Sequence, residues 1–112
     1  MNGNEAERSA ERFLIQQNLV PVARNYRCRL GEIDLIMRDG GEIVFVEVRM
    51  RRNALFGGAA GSITRVKQKK LLLAAKYYLA GLNNIPPCRF DVVLLTGNEG
   101  ERMEWIKNAF EE

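Results

Sequence analysis

The chain has 112 residues, a formal net charge of +3 and 46% hydrophobic content, which is one globular domain's worth of material with no compositional sign of disorder. It contains no histidine. That excludes imidazole general bases, Ser-His and Cys-His nucleophile pairs and His-containing zinc sites, and leaves any hydrolytic chemistry to carboxylates, Lys, Arg and a hard metal ion.

The opening residues, MNGNEAERSAERFL, lack the basic start and apolar run of a secretory signal. Asn4 reads as a helix N-cap with Glu7 three residues on, as in a capping box. Ala6, Ala10, Phe13, Leu14 and Gln17 then share one side, so a helix is expected over Glu5 to Gln17. Asn18 and Pro21 end it. Strands are expected over Val20 to Cys28, Leu30 to Arg38 and Glu42 to Met50, with Asp39-Gly40-Gly41 as a hairpin signal between the last two. Arg51 to Gly61 reads as a basic, then Gly/Ala-rich, loop. A long helix follows from Ser62 to Leu82, with Lys67, Leu71, Ala74, Ala75, Tyr78 and Leu82 along its inward side; Tyr77 is also placed in the core. Arg89 to Thr96 is an apolar strand suited to burial on both faces, interrupted by Asp91, for which a salt bridge to Arg89 is expected. Glu101 to Phe110 is either a short strand or a helical tail. The helical connection from the third strand to the fourth makes those two parallel neighbours. The predicted architecture is an α-β-β-β-α-β core over a single domain, 1–112, with a mixed central sheet flanked by helices.

No apolar stretch approaches a membrane span, and Cys28 and Cys88, far apart, read as two reduced, buried thiols. A cytoplasmic protein with no membrane partner is expected, and a homodimer is left open. From Arg24 to Lys76 twelve basic residues stand against five acidic ones, a net of +7, between two mildly acidic ends. That distribution suits a polyanion-binding face, although a solvated surface with no partner fits it equally. Arg51, Arg52, Arg65, Lys69 and Lys70 are the candidate phosphate contacts.

Strand alternation sorts the acids. Ile43, Phe45, Glu47 and Arg49 point one way on the third strand; Glu32, Asp34 and Ile36 share a face on the second, with Ile33, Leu35 and Met37 on the other. If Gly40-Gly41 is the turn, Asp34 falls opposite Glu47; if Asp39-Gly40 is, the two become diagonal neighbours. Two carboxylates so close need a proton or a cation between them, and Mg²⁺ takes one or two carboxylates plus waters and phosphate oxygens. The alternative is a pair of surface acids that salt-bridge Arg49 and Arg38. Glu7 either caps its helix or looks toward the sheet. Lys67 either snorkels at the core's edge or aims at a phosphate or at Glu47.

The stretches GEIDLI from Gly31, FVEVRMRR from Phe45 and RFDVV from Arg89, with GNEAERSAERFL before and WIKNAF after, resemble the YraN family of uncharacterised bacterial proteins. That family is similar to the restriction-endonuclease-like superfamily and, within it, to archaeal Holliday-junction resolvases. The resemblance implies a Mg²⁺- or Mn²⁺-dependent endonuclease acting on DNA, branched or otherwise non-duplex. In that pattern Glu7 is the helical acid, Asp34 and Glu47 are metal ligands, the main-chain carbonyl of Val48 completes the set, and Arg49 takes the superfamily's Lys position. Gln68 matches a polar position that some resolvases keep on the long helix. Arg is effectively always charged, so Arg49 can orient or stabilise but is a poor general base. A catalytically weak nucleic-acid-binding or protein-interaction module on the same fold is the alternative.

Overall fold

The structure, a computed structural model, describes residues 1–51 and 63–110. Elements follow in the order α1 (Gly3–Gln16), β1 (Val20–Cys28), β2 (Gly31–Asp39), β3 (Glu42–Arg51), α2 (Arg65–Ala80), β4 (Cys88–Thr96) and β5 (Arg102–Phe110). The five strands form one sheet in the order β1-β2-β3-β4-β5; β3 and β4 run parallel and the other neighbours antiparallel. The mixed α/β sheet expected from the sequence is present, and the C-terminal segment resolves as a strand. Among the described residues no helix is long and apolar enough to cross a membrane.

Each helix covers one face. Ala6, Ala10 and Leu14 of α1 pack on Leu35, Met37, Val44, Val46, Val93 and Leu95. Leu71, Ala74 and Ala75 of α2 pack on Ile33, Ile36, Ile43, Phe45, Phe90, Val92 and Leu94. The two-residue side-chain period therefore holds along β3 and β4, whose centres are buried on both faces. It fails on β2. Ile33 was expected beside Leu35 and Met37, yet it packs with the α2-side cluster. Asp34 stands at the break. Opposite it, by the register of Arg24↔Leu35 and Tyr26↔Ile33, is Asn25, with a left-handed φ of 50°. Asn tolerates that conformation better than most residues, and a left-handed residue inside a strand upsets the regular pleat.

Several local expectations change. The N-cap of α1 is Asn2, whose side chain accepts from the Glu5 N–H while Glu5 returns the bond, so Asn4 and Glu7 are not the capping pair. Helix α1 accordingly begins earlier than Glu5 and ends at Gln16; Asn18, at φ 72°, follows its C-cap in the left-handed conformation that stops helices. Helix α2 starts at Arg65 behind an N-cap from Thr64, and Gly81 caps it. Arg51 belongs to β3, while the rest of the predicted loop, 52–61, and Ser62 lie outside the described residues. Tyr78 sits edge-on against Tyr26 and Phe45, but Tyr77, one position earlier and so about 100° around the helix, is exposed. Neither cysteine is in a disulfide, yet Cys88 is exposed and Cys28 half-buried, so neither is the buried thiol expected.

Asp91 does more than pair with Arg89. Buried to 1% exposure, it accepts from Arg89 Nε (3.0 Å), Trp105 Nε1 (2.9 Å) and the Asn108 N–H (2.9 Å). Asn108 lies at an irregularity in the β4–β5 ladder with φ 54°, which turns its N–H onto the carboxylate. Arg89 Nη1 also reaches Glu42 Oε1 (2.9 Å) and Asp39 Oδ2 (3.0 Å). Burial works against the Arg89 charge, but hydrogen bonds and attraction from Asp91, Asp39 and Glu42 prevail and raise its pKa. The cluster ties the β2–β3 hairpin to β4 and β5, away from the candidate site.

Candidate functional site

The hairpin fixes the site's register. Asp39 pairs with Glu42, so Gly40-Gly41 is the turn, with Gly40 at φ 61° where a side chain would be strained. Pairing continues through Arg38↔Ile43, Met37↔Val44 and Ile36↔Phe45 to Leu35↔Val46. Among the described residues no β2–β3 pair follows. Beyond that point β2 remains paired to β1 down to Gly31, and β3 remains paired to β4 up to Arg51. The sheet forks between its second and third strands. Asp34 and Glu47 are the next residues on the two arms.

The Asp34 carboxylate stands in for a backbone partner at the fork: its Oδ2 accepts the Val48 N–H at 2.9 Å. Glu47, with a side chain 3% exposed, projects to the α2 side, where its Oε2 lies 3.8 Å from Arg49 Nη1 and 3.7 Å from Lys67 Nζ. Its Oε1 is buried without a hydrogen-bond partner. Burial, followed by the charge and contact of Asp34, pushes the Glu47 carboxyl up to about 8, against the pull of Lys67 and Arg49. Glu7 enters from α1. Freed from the capping role, this half-buried carboxyl is raised by burial and by the charge of Asp34, while a hydrogen bond from Asn25 works the other way. Asp34 is thus electrostatically coupled to both other acids, one from each side of the sheet.

Of the residues expected at a site, Glu7, Asp34, Glu47, Val48, Arg49 and Lys67 come together. Of the alternative, a pair of surface acids salt-bridged to Arg49 and Arg38, only the Arg49–Glu47 contact is present: Glu47 is buried, and Arg38 is at the hairpin end opposite Ile43. Lys67 reaches Glu47 rather than only snorkelling. Arg65, Lys69 and Lys70 are exposed on the first turns of α2. Gln68 does not face the cleft freely, because its Nε2 donates to the Ile63 carbonyl at 3.1 Å. Arg51 is exposed at the end of β3, with its carbonyl accepting the Gly97 N–H. Arg52 lies outside the described residues.

Two participants were missed. Asn25 carried only the weak signal of an Asn inside a strand pattern. Glu11, one helical turn after Glu7, is buried to 5% exposure and holds Arg24 through Nε at 2.8 and 3.0 Å and Nη2 at 2.8 Å. Arg24 is therefore engaged in holding β1 to α1, and its charge is partly cancelled on the basic face.

Among the described residues no three acids or thiols stand as a closed metal-ligand set. The site nonetheless suits a hard divalent cation that keeps most of its waters. A buried, partnerless carboxylate oxygen on Glu47 and a second carboxylate beside it are the donors such an ion uses, and positive charge there relieves both burial and repulsion.

Positions 6–95, which include Glu7, Asn25, Asp34, Glu47, Arg49 and Lys67, match the uncharacterised protein family UPF0102. A UPF0102 protein of Nitrosospira multiformis is 62% identical over 111 residues, covering 99% of this chain and 93% of its own. One from Nitrosomonas europaea is 56% identical over 110 residues, 98% of this chain and 93% of the relative. One from Saccharophagus degradans is 51% identical over 110 residues, 96% and 91%.

Proposed function

The chain belongs to the uncharacterised protein family UPF0102, and we propose that it is a Mg²⁺- or Mn²⁺-dependent endonuclease acting on DNA, with branched or otherwise non-duplex DNA as substrate. The observation that carries this reading is the forked sheet: Glu47, Asp34 and Glu7 meet where β2 and β3 part, and Arg49 and Lys67 lie within 4 Å of Glu47. On this reading Asp34 and Glu47 hold the cation, with Glu7 beside them and the Val48 carbonyl as a further donor. When bound, a divalent cation supplies Lewis-acid polarisation of the phosphate and lowers the pKa of the attacking water.

The chain's own residues do the rest. Asp34, tethered through the Val48 amide, is held in orientation. Asn25 favours the charged form of Glu7. Arg49 offers permanent charge for the phosphoryl oxygens, and Lys67 offers a second, mobile one. Arg65, Lys67, Lys69 and Lys70 on the first turns of α2 would draw the nucleic-acid backbone to this face. We place this activity in a single cytoplasmic domain, in keeping with two cysteines that form no disulfide.

One observation favours a second reading. Arg49 stands where the resemblance has Lys, and Arg does not give up a proton; a binding module that has lost efficient chemistry would keep the cleft and the charge. A cleavage screen over duplex, single-stranded, flap and four-way-junction DNA, with Mg²⁺, Mn²⁺ or EDTA, separates the two. Metal-dependent cutting of at least one substrate is expected. Binding that weakens steeply with salt, without cutting under any condition, replaces the nuclease with the binding module.

A further inference from the structure

Next to the fork is a second concavity that the carboxylate cleft does not use. It has a volume of about 420 Å³, and its walls come from the β1–β2 turn and the first turns of α2. Arg27 and Arg29 enter from the turn side and Lys67 and Lys70 from the helix side; Glu32 is the one acid in the wall. The two sides approach closely because residue 31 is glycine. A Cβ there would lie 2.8 Å from the Lys70 carbonyl oxygen, so any larger residue pushes the helix away. Four cations and one carboxylate around a pocket of this size make a poor site for an apolar or cationic ligand and a good one for a multiply charged anion. Lys67 belongs to both concavities: it lines this pocket and lies 3.7 Å from Glu47 Oε2.

We propose that this pocket is a phosphate-binding subsite. On the nucleic-acid reading above, on which this second step rests, its occupant is the backbone phosphate next to the one at the carboxylate cleft. Lys67 sits between the two positions, and Arg29 and Lys70, both exposed, close on the outer phosphate from opposite walls. Glu32 moderates the site. It pairs with Arg27 at 3.4 Å and repels an incoming anion, so its charge limits affinity. The subsite gives the fork a direction: a strand engaged at Glu47 runs on over the start of α2 toward the β1–β2 turn.

The test uses the intact chain in metal-free buffer with EDTA. Titration of the ¹⁵N-labelled protein with inorganic pyrophosphate is expected to shift the amides of Leu30, Gly31 and Lys70 and to saturate. Arg29→Ala and Lys70→Ala should each weaken that binding by on the order of three- to tenfold. Glu32→Gln should tighten it about two- to fivefold, a gain that a damaged fold cannot mimic. Arg38→Ala, at the far end of β2, should change nothing. In anisotropy titrations with labelled DNA, Arg29→Ala and Lys70→Ala should each make the salt dependence shallower by about one counterion. If pyrophosphate leaves those amides unmoved, or if Lys70→Ala and Glu32→Gln both match the parent, the subsite is refuted whatever the protein does to DNA. If the parent binds DNA but both alanine variants keep its affinity and salt slope, the pocket is off the path of the strand. If pyrophosphate fills the pocket and DNA does not bind at all, the nucleic-acid reading falls and the phosphate site stands.

Discussion

Replacing Glu47 by Gln should stabilise the metal-free protein at pH 8 and do little for it at pH 5. The side chain is 3% exposed, its Oε1 has no partner, and its pKa of about 8 lies above the ordinary 4.5. A carboxyl raised in the native state is protonated there while its unfolded counterpart has already ionised. Its contribution to stability is complete below about 4.5 and is lost as pH rises to about 8, where the buried group must carry charge. At about 1.4 kcal/mol per pH unit that interval corresponds to about 4–5 kcal/mol, and water entry and local rearrangement reduce it to on the order of 2–3 kcal/mol. Glutamine keeps the shape and never ionises. For a chain of this size roughly 3–6 °C accompany each kcal/mol, so the Tm difference, variant minus parent, should grow by roughly 10 °C between pH 5 and pH 8. A divalent cation should reverse the ranking. At a hundred times its Kd it adds about 2.7 kcal/mol to the parent, more at pH 8 than at pH 5 because it competes with the proton, and much less to the variant. Thermal denaturation with EDTA and then with Mn²⁺ reads both effects. If the two melting curves run parallel from pH 5 to pH 8, Glu47 is not held in an ion-poor cleft and the reasoning fails.

Six further substitutions probe the site and the frame around it. In single-turnover cleavage with Mn²⁺, Asp34→Asn and Glu47→Ala should abolish cutting while a gel shift shows binding intact or tighter; Arg49→Ala should lose on the order of 10²–10³ in rate, and Arg49→Lys should keep or raise it. Asp91→Ala should cost about 3–5 kcal/mol in urea unfolding, because Arg89, Trp105 and Asn108 lose their shared acceptor. Gly31→Ala should cost about 1–3 kcal/mol by setting a Cβ against the Lys70 carbonyl.

Much of the frame was legible because it obeys short periods. Alternation located β1 to β4 within a residue or so, and Gly40-Gly41 gave the register that carries Asp34 toward Glu47. The helical stripe that begins at Lys67 put that amine at the core's edge but left open whether it snorkels or reaches an acid; it meets Glu47. The remainder depended on choices that local patterns cannot decide. Two Asn-x-x-Glu frames overlap at the N-terminus, Asn2 with Glu5 and Asn4 with Glu7. Only the first puts Ala6, Ala10 and Leu14 on the sheet behind a formed cap, and that choice releases Glu7 for the cleft. Asn25 takes a left-handed φ that no composition rule assigns to a strand interior, and the facing of Ile33 changes with it. The Glu11–Arg24 and Asp91 networks join residues remote in sequence, where charge type alone does not choose the partner.

Two irregularities, the broken β2–β3 ladder and the left-handed Asn25, meet at the fork. A carboxylate at a sheet's interior edge can be exposed to a ligand only if the neighbouring strand stops pairing there. Asp34 makes that opening tolerable by accepting Val48 N–H, a donor that would otherwise lose its partner. The left-handed Asn25 lies across from Asp34 and favours the charged form of Glu7, against burial and the charge of Asp34. At the other end of the strands, full pairing and the Asp91 cluster hold the hairpin closed. The unfavourable groups are thus collected in one place: a buried Glu47, two further acids beside it, and a broken ladder. A fold under selection for stability alone would gain by replacing Glu47 with an apolar residue. On the proposed function the position of Glu47 among Val46, Val48, Arg49 and Lys67 has a physical rationale: Arg49 and Lys67 stand 3.8 and 3.7 Å from Oε2 and Oε1 has no hydrogen-bond partner, so a divalent ion would supply the neutralisation that the raised carboxyl otherwise takes from a proton.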